Sequence, residues 1–205
     1  MRTLLRALTF LLCSRSPGSS GSPVTAKGVV LQTHDVPVMH KCPQSDKWAG
    51  LMLKGQPEML PTGMARWPDL QAAGATEGWM SLYADDVAEC PLLLGFAPPK
   101  GRLVYTAAIK FKNSSSAAKD FASDSQNFPV ARDFSDRFFA AGGKVTKGTN
   151  TGLGDKSVLA TISLRGVPTY VVFWQNKNFE AVVYASNLTS SEGSSAASNM
   201  NGRIH

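Results

Sequence analysis

The stretch from Ser157 to Ser186 constrains the fold most. Three apolar-rich runs, Ser157–Leu164, Thr169–Gln175 and Phe179–Ser186, have strand length and strand composition. Only Arg165-Gly166-Val167-Pro168 and Asn176-Lys177-Asn178 separate them. Val, Ile, Thr, Tyr, Phe and Trp suit a pleated, half-buried surface, and connections this short make hairpins. Parallel pairing needs a crossover of a dozen or more residues. The spacing therefore predicts an antiparallel three-strand meander, and the rest of the chain has to be built around it.

Upstream, Leu103, Tyr105, Ala107, Ile109 and Phe111 alternate along a strand from Arg102 to Phe111. Asn113 or Ser114 caps a helix running to about Ser125, with Ala117, Ala118, Phe121 and Ala122 as its inward stripe. A second helix over 131–141 ends at Gly142-Gly143, and Thr189 or Ser190 caps a terminal helix carrying Ala196, Ala197, Met200 and Ile204 on one face. Gly78–Tyr83 reads as a strand, with a helix as the alternative because its apolar residues do not alternate cleanly. Trp67–Ala73 reads as a short helix capped by Gly74, and Val29–Leu31 as a short strand. Asp35-Val36-Pro37 reads as a turn, and 48–54 as one or two helical turns. Strands joined by hairpins and interspersed with helices predict an α+β fold: an antiparallel sheet with the terminal meander, its helices packed mainly on one face. The 205 residues, 43% apolar, suffice for one domain over 29–205 and exclude disorder along the whole chain. No stretch approaches the roughly 20 apolar residues of a membrane-spanning helix.

The net charge of +6 invites a nucleic-acid reading, but its distribution does not support one. Residues 1–28 hold Arg2, Arg6, Arg15 and Lys27 with no acid, and the remainder carries 17 basic against 15 acidic residues. No dense basic stripe marks a phosphate track, so no nucleic-acid partner is expected. Instead, Arg2 and Arg6 precede the short apolar run Ala7–Cys13, followed by a Ser/Gly/Pro-rich stretch to Pro23. This is the outline of an export signal or a lipid anchor on Cys13, with Leu12 where a small residue normally stands. A transit peptide and a retained tail share the same composition. Residues 1–28 are thus set apart as a leader and flexible linker, the membrane being reached through this tether only.

Cys42 and Cys90 each precede a proline. In an exported domain they pair, closing a loop of about 49 residues worth roughly 4 kcal/mol by chain entropy. In a reducing compartment they are two buried thiols. His34, Asp35 and His40 lie near Cys42, but four ligands for a closed metal site cannot be assigned. No metal and no cofactor is expected.

Tests for catalytic motifs mostly fail. Gly152-Leu153-Gly154-Asp155-Lys156-Ser157 lacks the phosphate-loop spacing, because Asp155 intervenes and a strand follows. No Gly-x-Ser-x-Gly elbow appears, and the histidines are only His34, His40 and His205. Asp85, Asp86 and Glu89 form an acidic cluster, the one place for carboxylate-based hydrolysis. The meander aromatics Tyr170, Trp174 and Tyr184 are the candidates for an apolar ligand groove on the sheet.

Gly74-Ala75-Thr76-Glu77-Gly78-Trp79, Ala107-Ala108-Ile109-Lys110-Phe111, Ser115–Asp120, Gly152–Ser157, Tyr170–Phe179 and the closing Arg203-Ile204 together give residues 74–204 a familiar layout. It resembles a class of bacterial exported or lipoprotein α+β domains without assigned activity. It is distantly similar to extracytoplasmic sensor-like domains of some actinobacterial kinases and lipoproteins. The resemblance implies an exported α+β domain and supplies no catalytic residues. The expectation is therefore a non-enzymatic, secreted or membrane-tethered binding or sensor-like domain whose partner is a small molecule or protein at the cell surface. The alternatives are a hydrolase using Asp85 and Asp86, and a protein–protein interaction module.

Overall fold

The meander forms one side of a seven-stranded antiparallel sheet, ordered β1-β2-β3-β7-β6-β5-β4. The computed structural model describes residues 23–43, 45, 67–91, 99–127, 135–164 and 166–205. Within them the strands are β1 (His40–Lys41), β2 (Ala75–Ala84), β3 (Leu103–Phe111), β4 (Lys144–Lys147), β5 (Lys156–Leu164), β6 (Val167–Asn176) and β7 (Phe179–Ser186). The helices are α1 (Ala26–Val29), α2 (Trp67–Ala73), α3 (Ser114–Asn127), α4 (Ser135–Ala140) and α5 (Ser190–Asn201). The leader, Cys13 and the turns expected at 48–54 lie outside the described residues.

The meander pairs as the sequence predicts. Trp174 faces Ser157 and Ala181, and Phe173 faces Val158 and Val182. At the β6–β7 hairpin Lys177 takes φ 51°, a left-handed conformation rare outside glycine. Asp155 holds it there: its Oδ2 accepts from the Lys177 amide at 3.1 Å and from Gln175 Nε2 at 3.3 Å. The Gly152–Asp155 turn is shaped by the same contact. Gly154 has φ 53°, and a Cβ on it would lie 2.3 Å from the Gln175 carbonyl oxygen. The glycines of the failed phosphate-loop motif therefore serve backbone packing.

The two halves of the sheet meet where β3 pairs β7, from Leu103 opposite Ser186 to Lys110 opposite Phe179. β3 buries six consecutive residues, Leu103 to Ala108, so both of its faces need cover. The helices accordingly divide between the faces rather than lying mainly on one. On the first, α1 and α5 pack over Val104, Ala108, Tyr170, Val172, Trp174 and Val183. On the second, Trp67 and Leu70 of α2 and Ala117 of α3 pack over Met80, Leu82, Tyr105, Ala107 and Phe111. The α+β class and the antiparallel sheet stand as expected.

Three local readings change. Val29–Leu31 forms no strand. Thr25 Oγ1 caps the turn of helix there, and the Ala26 amide donates to Glu77 Oε2 at 2.9 Å, a tertiary contact that overrides the β-branched preference. Lys144–Lys147, which is not among the strands read from the sequence, pairs β5 as an edge strand too short to show alternation. Packing against the sheet also begins before residue 28, since Ala26 is buried and Lys110 Nζ donates to the Val24 carbonyl at 2.7 Å. From there to residue 45 the chain is strapped down by polar contacts. Ser81 Oγ and Tyr83 Oη both donate to the Leu31 carbonyl, and Ser45 Oγ accepts from the Leu82 amide. Arg203 Nη2 donates to both carboxylate oxygens of Asp35.

Candidate functional site

Strand alternation divides the predicted aromatics. Tyr170 and Trp174 point to the face under α5 and are core residues there. Gly193 of α5 sits so close to the Tyr170 ring that a Cβ would come within 2.5 Å of it. Tyr184 points to the opposite face and packs beside the second cluster. The structure therefore does not bring Tyr170, Trp174 and Tyr184 together.

The second face of the meander has a different character. Val171, Phe173, Val182 and Tyr184 are all half-buried, and they are cross-strand neighbours on β6 and β7. α3 lies along this face, with its Phe121 ring stacked on Phe173 at 4.8 Å and 16° between planes. Of the stripe read from the sequence, Ala117 and Phe121 are buried and place α3 here, Ala118 is half-buried and Ala122 is exposed; Asn113 Oδ1 starts the helix by accepting from the Ser116 amide at 2.8 Å.

The same placement sets three carboxyl groups together at the end of this face. Asp120 and Asp124 stand one helical turn apart on α3, and Glu180 enters from β7, with a carboxylate oxygen of each within 4.8 Å of the others. Glu180 is only 2% exposed. Its Oε1 and the Asp120 Oδ2 are buried and have no hydrogen-bond partner. Burial, reinforced by the Asp120 and Asp124 charges and opposed by the Phe121 amide, pushes the Glu180 carboxyl up to about 9. Burial and the neighbouring Asp124 push Asp120 up to about 6, and burial raises Asp124. Sequence reasoning missed this group. The available signals were the i, i+4 aspartates and a lone glutamate in the apolar run Phe179–Ser186.

The acidic cluster singled out from the sequence is committed elsewhere. Asp85 forms a multidentate pair with Arg102, which holds its carboxyl below the usual carboxylate range. Asp86 Oδ1 caps the 3₁₀ turn Val87–Glu89 by accepting from the Ala88 amide. Glu89 accepts from the Lys100 and Gly101 amides, both at 2.9 Å. These three carboxylates fasten the chain between β2 and β3.

Cys42 and Cys90 form a disulfide with Cα atoms 5.7 Å apart, so Cys42 offers no thiolate to a metal with His40. His34 lies beside the Asp35–Arg203 pair instead. Two surface depressions measure ≈ 210 and ≈ 230 Å³. One is lined by Thr161, Pro168 and Leu188, the other by Val38, Arg102 and Glu192. Both fall short of the ~300–1,000 Å³ usual for enclosed ligand pockets.

No family model matches the chain, and no curated protein matches it. Among solved structures, the extracellular domain of PknH from Mycobacterium tuberculosis aligns with 73% of this chain and 75% of its own length, at 12% identity and a TM-score of 0.41.

Proposed function

We propose that the chain is an exported, non-enzymatic binding or sensor-like domain, secreted or held to a membrane by its N-terminal segment. The observation that carries this reading is the Cys42–Cys90 disulfide, buried at both ends and joining the segment after β1 to the turn after β2. Such bonds persist in oxidising compartments and are rare in reducing ones. The acid-free, arginine-bearing leader supports the same compartment. The structural commitment of Asp85, Asp86 and Glu89 favours binding over hydrolysis. An apolar ligand or partner would meet the half-buried face of Val171, Phe173, Val182 and Tyr184.

The test is the intact mass of the native protein from soluble and membrane fractions, alkylated with and without prior reduction. The expected result is a processed or lipid-modified N-terminus, with Cys42 and Cys90 alkylated only after reduction. A full-length chain carrying three free thiols would reject the exported reading.

A further inference from the structure

We propose that Asp120, Asp124 and Glu180 form a binding site for a hard divalent cation, with calcium preferred over magnesium. Glu180 carries the argument. It is buried as the one charged residue of its strand, its Oε1 lacks a partner, and it faces two further carboxylates within 4.8 Å. A buried carboxylate oxygen without a hydrogen bond is costly, and like charges at this range add to the cost. No Lys or Arg pairs with any of the three among the described residues. A bound cation supplies what is missing. It would give Glu180 Oε1 and Asp120 Oδ2 their partner and turn mutual repulsion into shared attraction.

The donor chemistry narrows the ion. Three carboxylates and no thiolate or imidazole suit calcium, magnesium or manganese rather than zinc or copper. One carboxylate oxygen from each residue lies within 4.8 Å of the others, so a single cation can reach all three, and calcium's flexible coordination shell accepts ligands brought together from a helix and a strand more readily than magnesium's near-ideal octahedron. Asp120 and Asp124 are only half-buried, which leaves the outer side open for waters to complete the coordination. With three protein ligands, the affinity should fall in the weak range of extracellular calcium modules, roughly 10⁻⁴–10⁻³ M.

The test is calorimetric titration, with parallel thermal melts, of the full chain freed of metal by chelator near neutral pH. The expected result is saturable calcium binding that raises the melting temperature, with a weaker response to magnesium. Glu180→Gln keeps the shape of the side chain and should abolish the response, and Asp124→Asn should weaken calcium binding at least about tenfold. Absence of calcium heat and of any melting shift in the wild-type chain up to about 10 mM would overturn the proposal, leaving the cluster to hold only a proton. An equal response in Glu180→Gln would also overturn it. If that variant does not fold, unchanged affinity in both Asp120→Asn and Asp124→Asn has the same force.

Discussion

The two faces of the sheet share their strands but differ in chemistry. Under α1 and α5 the meander contributes Tyr170, Val172 and Trp174, sealed by Ala196, Ala197 and Met200. Under α3 the intervening residues Val171 and Phe173 are half-buried, and the face ends in three carboxyl groups. Neighbouring residues of one strand thus perform different work. The first face contributes stability through close packing. That face leaves one neutral indole nitrogen, on Trp174, without a partner, whereas the second buries a carboxyl group, which costs more and can bind a ligand.

The contrast is tested most severely by truncating adjacent aromatics. Trp174→Ala should cost about 3–5 kcal/mol in denaturant unfolding, because it empties a fully buried site. Phe173→Ala, half-buried against Phe121, should cost about 1–3 kcal/mol, and equal losses for the two would erase the distinction. The acidic end of the second face sharpens the comparison through pH. The folded Glu180 carboxyl binds its proton more tightly than the unfolded chain does, so its stabilising contribution is complete below about 4.5 and disappears as pH rises through about 9. In chelator, melts from pH 5 to 9 should show falling stability, and Glu180→Gln should flatten that slope. The smallest effect separates two adjacent valines. Val172→Thr buries an unpartnered hydroxyl and should cost about 1–3 kcal/mol, whereas Val171→Thr should stay within about 1 kcal/mol.

The sequence carried the local parts of this structure and lost the non-local ones. The meander, the Asn113 and Thr189 caps and the Gly74 terminus were legible because periodicity, caps and turns act within a few residues. The helical turn at Ala26–Val29 was not, since its entry depends on Glu77, 51 residues away. Nor was β4, whose four residues gain strand character only from pairing with β5. The acidic group was hidden for the same reason: Glu180 meets Asp120 and Asp124 only when β7 inserts beside β3 beneath α3. The aromatic candidates show a subtler gap. The correct strands were identified, but alternation sends Tyr170 and Trp174 to one face and Tyr184 to the other. A shared groove required a parity that the sequence does not possess.

The seam between β3 and β7 bears on the order in which the chain can assemble. The three hairpin-linked strands have partners close in sequence and can zip locally within microseconds of collapse. β3 has no such freedom, because one of its two neighbours is the final strand of the sheet. A chain emerging from its N-terminus can therefore pair β3 with β2, but must leave the other edge of β3 bare until residues 179–186 arrive. During that interval the growing protein presents a long, largely apolar strand with one bare edge. Loss of the last few dozen residues would make that exposure permanent, turning the centre of the sheet into an edge open to aggregation.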